Sequence, residues 1–482
     1  MMTTTGTQTR LAAVAADAAE PLPTGSGRRG AAGAELRAAT RLALPVIAVQ
    51  LGIMLMSTVD TAMLGRFSAE ALAAGAIAHV ISLTLLIFGA GTLSALDPLV
   101  SQAFGAGDRR AVGTHLRRGL ILAAALAVPL SLLMIDVGPL LRALGEPPGV
   151  AAGATTYIRW LILGNLPFLL FHVLRQTLQA MSIVRPTLYA IAAANLVNAL
   201  TNYALIFGHW GCPRLGAPGS ACATAAARWM MFLLMLLAAR RPLRGKVDAA
   251  SGWRAFAATW RGAAAWQGLV RMLRIGLPIG LHMSFELSMF VVVALLMGRF
   301  GTAAIAGHQV AIMLSALSYM VPVGVAGAAT TRVGNAIGRG DLPAARLTTA
   351  VCLGVGAGVM SLFSAAFALA PRQLAALFSP DPAVIAAAAR LLPIAAVFQV
   401  FDGIQVVSAG ILRGTADTAL PAANALVGYS LLGLPIGCLL AFRGGLGPRG
   451  LWWGVSLGLG VVAILNLARI AYRFRGHIAR VG

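Results

Sequence analysis

Charge is what this 482-residue sequence has least of. Asp, Glu, Lys and Arg make up 11% of it, and hydrophobic residues 59%. Soluble chains carry about 25% charged residues, so a soluble globular protein is excluded and a polytopic membrane protein is expected. Lysine is nearly missing, with Lys246 alone, and acids are few: 15 against 37 bases. The net charge of +22 would suit nucleic acid, but the bases sit between apolar runs, where membrane topology demands them. No nucleic-acid partner is expected. Cysteine is scarce: Cys212, Cys222, Cys352 and Cys438 show no metal-ligand spacing. Cys212 and Cys222 flank one outer loop and could pair in an oxidising compartment or stand as two unpaired small residues. No P-loop, no His/Glu zinc pattern and no nucleophile constellation is present, which argues against an enzyme, ATP hydrolysis or an organic cofactor. Near the start, only Leu11–Ala16 is mildly apolar, too short for the core of a cleavable signal. Residues 1–34 read as a disordered tail.

What is abundant is long apolar sequence. Twelve segments are long enough to span a bilayer as helices, which takes about 20 residues each: 41–65, 75–101, 114–135, 152–175, 186–207, 217–239, 274–298, 304–331, 346–370, 386–412, 418–442 and 450–472. The connections are short except for 240–273, a basic stretch with Trp253, Trp260 and Trp266 that reads as an amphipathic linker on the membrane surface. Arg clusters at the N-terminal tail, Arg109–Arg118, 240–274, Arg332–Arg346 and Arg469–Arg480 fall on one side. The positive-inside rule makes that side cytoplasmic, with both termini there.

An internal repeat organises the chain. RLALP at 41–45 matches RIGLP at 274–278, GRF at 65–67 matches GRF at 298–300, and GAGD at 105–108 matches GRGD at 338–341. All three pairs share one offset, 233 residues. The expected fold is all-α, with twelve transmembrane helices in two six-helix lobes related by a pseudo-twofold axis along the membrane normal. The lobes are 35–239 and 274–475, joined by 240–273 and followed by a short tail, 476–482. Transporters built on repeats place substrate between them and rock one against the other.

The repeated scaffold carries unrepeated acids. Glu286 stands where the first half has Ile53, Asp60 where the second has Val293, and Asp402 opposite His172. An acid at the middle of a spanning helix costs roughly 2.5–3.5 kcal/mol on insertion scales and is a functional candidate by default. Glu286 is about 12 residues, or roughly 18 Å, from Arg274 at one helix end, and Asp402 is equally central. Two acids at one depth can share a proton or ligate one cation such as Na⁺. Gln405 shares the face of Asp402. Asn198 and Asn202, four apart, share another face and could join Asp60 in a polar cluster or serve as interhelical hydrogen-bond glue. Asp97, before Pro98, could cap a helix or ligate. His79, His172, His282 and His308 read as packed residues. Pro45 and Pro278 are repeat-related and allow both first helices to bend. Gly354/Gly358 and Gly454/Gly458 have the spacing of close helix contacts.

Taken in order, VDTAMLGRFSAEALAA, DPLVSQAFGAG, AIAGHQVAI with AATTRVGNAIGRGD, and FDGIQVVSAGILRG resemble the multidrug and toxic compound extrusion (MATE) family over about residues 36–475, in its NorM-type branch. The resemblance implies a cell inner-membrane antiporter, a monomer in the bilayer, exporting small organic and often cationic compounds in exchange for H⁺ or Na⁺. It implies cation coupling by Glu286, Asp402 and Asp60, with Na⁺ ligation by the first two. Asn198, Asn202, Gln405, Asp97 and Gln309 would be polar cavity residues, and Pro45 and Pro278 hinges. One departure is Phe398, where some Na⁺-coupled relatives carry an aromatic hydroxyl. A flippase for lipid-linked precursors would call for an Arg-lined cavity, and the spans hold chiefly Arg159, Arg175 and Arg228. A non-transporting receptor would not require a repeat with acids at its centre.

Overall fold

A computed structural model describes residues 28–243 and 263–481. The tail 1–27 and the middle of the linker, 244–262 with Trp253 and Trp260, lie outside the described residues. Among the described residues, twelve helices are long and apolar enough to cross a membrane: α1 Gly30–Phe67, α2 Ala69–Gly105, α3 Arg109–Leu132, α4 Pro148–Ala180, α5 Arg185–Phe207, α6 Ala217–Arg240, α7 Trp266–Phe300, α8 Thr302–Gly338, α9 Leu342–Leu369, α10 Pro382–Gly414, α11 Ala419–Arg443 and α12 Pro448–Arg473. No strand occurs among the described residues. Helix already begins at Arg28, inside the segment expected as tail. The helix containing α7 begins at Ala263, inside the expected linker. Hydropathy marks only the apolar part of a helix, and both of these extend beyond it at the arginine-bearing end.

The repeated GAGD and GRGD motifs have a local cause. Gly107 and Gly340 adopt left-handed φ of 73° and 75°, which ends one helix without a Cβ penalty. Asp108 and Asp341 then cap the next, accepting from Ala111 N at 2.9 Å and Ala344 N at 3.0 Å. Each motif is therefore a stop followed by a start. Ser68 and Asp381 cap α2 and α10 in the same way.

Two compact units result. Of the described residues, one takes those up to Ile47, Asp97–Gly107 and those from Leu281; the other takes Ala48–Leu96 and those within Asp108–Gly280. Short pieces are thus exchanged between the sequence halves. Within the first unit the exchange makes a reciprocal crossing. A Cβ on Gly105 would run into the Asn335 carbonyl, and one on Gly338 into the Gln102 carbonyl. Residues 102 and 335, and 105 and 338, are themselves repeat partners. Gln102 Nε2 also donates to the Gly414 carbonyl at 2.9 Å. The same logic holds at the first helix of each half: Gly324 of α8 lies against Ala43 and Ile47 of α1, and Gly276 of α7 against Thr92 of α2.

Of the two small-residue pairs, one makes the expected contact. Gly454 and Gly458 of α12 lie on the backbone of Gly433, Gly437 and Gly428 of α11. Gly354 and Gly358 have nothing within 4 Å, so that expectation is corrected: on α9 it is Gly356, on another face, that meets Val407 of α10. Helix α11 is not regular. Leu426–Gly433 and Leu439–Arg443 are π-helical, an uncommon widening often found at functional positions. All four cysteines are free.

Candidate functional site

In the second half, α7, α8 and α10 bring three polar side chains together. Tyr319 Oη donates to Glu286 Oε1 at 3.2 Å, and Gln405 Nε2 donates to the same oxygen at 3.0 Å. Asp402 lies one turn before Gln405 on α10, 4% exposed. Its Oδ1 and the Gln405 Oε1 are buried with no hydrogen-bond partner. Glu286 Oε2 faces His282 Nε2 at 4.0 Å. Two carboxyls in apolar surroundings, one with a bare oxygen, form a place that a small cation would stabilise.

Phe398 does not leave this region without hydroxyls. Its ring is core, 1% exposed and 5.5 Å from the Trp452 ring. Tyr319 reaches Glu286 from α8 instead, and Tyr429 lies buried on the π-helical part of α11. A tyrosine in an apolar run has no signal of its own, which is why neither stood out in the sequence.

The first-half acid also gathers partners. Asn202 Nδ2 donates to Asp60 Oδ1 at 2.5 Å, Thr224 Oγ1 donates to Oδ2 at 2.8 Å, and Asn202 Nδ2 also reaches Asn198 Oδ1 at 3.2 Å. The polar cluster expected from Asp60, Asn198 and Asn202 is assembled, with Thr224 added from α6. One turn after Thr224, Arg228 donates to Asn165 Oδ1 at 3.3 Å and stacks on Phe168, 5.1 Å from its centroid.

The remaining candidates stand elsewhere. Asp97 pairs with Arg413 at 3.5 Å. Gln309 is exposed and joins neither cluster. Pro45 and Pro278 lie inside continuous helices. His172 meets Ser94 at 3.3 Å, and His308 Nδ1 accepts from Trp452 Nε1 at 3.2 Å.

The model of the MatE family matches residues 45–204 and 278–439. This chain belongs to the MatE family. The two matched stretches begin at Pro45 and Pro278, at the spacing of the internal repeat. Among MatE relatives, a probable multidrug resistance protein NorM of Brucella suis biovar 1 (strain 1330) is 37% identical over 457 residues, 93% of this chain and 94% of the relative. One from Bradyrhizobium diazoefficiens is 37% identical over 445 residues, 90% and 94%. The fold is shared with the eukaryotic MATE transporter AtDTX14, at TM-score 0.80, 23% identity, 91% of this chain and 95% of that one. It is shared too with an outward-facing multidrug resistance MATE transporter of the MOP superfamily, at TM-score 0.81, 19% identity, 92% and 96%.

Proposed function

We propose that this MatE protein is a multidrug efflux antiporter, exchanging organic, predominantly cationic compounds for Na⁺ or H⁺. The observation that carries the reading is Glu286, held by Tyr319 and Gln405 beside the buried Asp402. The multidrug resistance names of relatives at 37% identity support the substrate class. In this reading, uptake of the coupling cation at Glu286 and Asp402 compensates their charge and weakens the hold on a cationic substrate, which leaves on the far side. Asp60, with Asn198, Asn202 and Thr224, offers a second acid with its own donor set. Pro45 and Pro278 let α1 and α7 bend as the halves rock. No covalent chemistry is called for. The arginine distribution supports a cytoplasmic side for both termini.

The test is efflux of a fluorescent organic cation from cells lacking their own pumps. Glu286→Gln and Asp402→Asn should each remove most of the efflux at wild-type expression. Full efflux in both would overturn the proposal.

A further inference from the structure

His282 sits one turn before Glu286 on α7 and is 6% exposed. Its Nδ1 lies 3.1 Å from the carbonyl oxygen of Pro421, in the first turn of α11. A carbonyl only accepts, so the ring proton belongs on Nδ1. The neutral ring then presents a bare lone pair at Nε2. That lone pair faces Glu286 Oε2 at 4.0 Å.

Two acceptors facing each other in a buried place repel unless something positive lies between them. The separation is too wide for a hydrogen bond, which closes at about 3.2 Å. It is wide enough for an ion. Na⁺ is close in radius to Ca²⁺, whose ligands stand at about 2.3–2.6 Å, and two such contacts at a bent angle span the gap. A ligating histidine almost always donates its other N–H to a carbonyl or carboxylate, which fixes the ring. His282 already has that arrangement through Pro421. Unpartnered oxygens of the same region, Gln405 Oε1, Asp402 Oδ1 and the Tyr429 hydroxyl, come from α10 and α11. The Tyr429 ring stands edge-on to His282 at 6.4 Å. Among the described residues no three His, Cys, Asp or Glu side chains converge as a metal group. One nitrogen and a few oxygens suit a weakly held monovalent ion rather than a transition metal.

We infer that His282 Nε2 is a ligand for a sodium-sized alkali cation held between it and Glu286 Oε2. The inference rests on the proposed coupling role of Glu286 and adds the nitrogen that shapes the ion's seat.

The two amide isosteres of histidine separate the roles of its nitrogens. His282→Asn keeps a donor near Nδ1 and removes Nε2. His282→Gln keeps an acceptor near Nε2 and gives up the bond to Pro421. The readout is the Na⁺ concentration, and in parallel the Li⁺ concentration, giving half-maximal substrate exchange in proteoliposomes of the full chain at fixed pH. Loss of a ligand should raise that concentration about tenfold or more in His282→Asn, while His282→Gln, which keeps an acceptor at the ion, should raise it clearly less. Wild-type behaviour of His282→Asn, or an equal loss in His282→Gln, overturns the inference; the latter would make the Pro421 bond or a charged ring the essential feature. Exchange in wild type that ignores both alkali ions overturns it as well. Glu286→Gln, measured alongside, reports on the proposed function separately: retained exchange there fails that reading, whereas its loss together with an unaffected His282→Asn fails only this one. Should His282→Asn not fold, His282→Ala, which also lacks Nε2, takes its place with the same expected rise, and a wild-type ion requirement there overturns the inference.

Discussion

At the scale of single residues, the acids differ in how they are held. Both oxygens of Asp60 are occupied, by Asn202 and by Thr224, whereas Glu286 has one oxygen doubly occupied and the other 4.0 Å from His282 Nε2. A buried acceptor deprived of its donor loses about 1–3 kcal/mol. Thr224→Val keeps the shape and removes the hydroxyl, so it should lower the thermal unfolding midpoint of purified protein by a few degrees. Thr156→Val, whose hydroxyl merely bonds back to Ala152 on an exposed face, should leave the midpoint nearly unchanged. Equal shifts in the two would show that the Asp60 cluster is not held as described. The acids themselves were legible in the sequence, since charge in an apolar run is conspicuous. Their supports were not. Thr224, Tyr319 and His282 are ordinary residues in a spanning helix until another helix brings a carboxylate to them.

At the scale of elements, the sequence located all twelve spans, although α1 begins eleven residues before the expected 41 and α8 ends seven after the expected 331, and it said little about faces. Two glycine pairs with identical spacing have opposite environments. A Cβ on Gly454 would enter the backbone of Gly433 and Gly437, which cannot turn aside, while Gly354 has open space around it. Spacing identifies a stripe, and only the partner helix decides whether the stripe is used. Gly454→Ala should therefore lower the unfolding midpoint markedly and reduce the yield of folded protein. Gly354→Ala should be neutral or raise the midpoint, because alanine is favoured over glycine in a helix by up to about 1 kcal/mol. The π-helical segments of α11 were likewise invisible: Leu426–Gly433 reads as plain apolar helix, and its widening arises where α11 and α12 approach through glycines.

At the scale of the whole molecule, the 233-residue offset announced a duplicated scaffold, and the crossing shows that duplication in three dimensions: Gly105 meets the Asn335 carbonyl, and its repeat partner Gly338 meets that of Gln102, the repeat partner of Asn335. What no offset could reveal is the exchange itself, in which Asp97–Gly107 from the first half packs with the second. Asp97 is where that exchange acquires a charge. It was legible as a candidate because it is an acid beside an apolar run, but its partner, Arg413, closes a helix more than three hundred positions away in the sequence. The pair is buried on the acid side, 6% exposed, and largely sheltered on the other, at 18%. Removing one member of such a pair leaves a charge without its counter-ion, whereas removing both removes the demand. Asp97→Asn alone should therefore unfold at a lower temperature than the double variant Asp97→Asn/Arg413→Gln, and Arg413→Gln alone should also fall below the double. A thermodynamic cycle over the four proteins should give a coupling of about 0.5–3 kcal/mol. Additive shifts, with the double variant as unstable as the two singles combined, would mean that the ion pair does not join the exchanged segment to the second half, and that the glycine crossing and the Gln102–Gly414 bond hold it without help from charge.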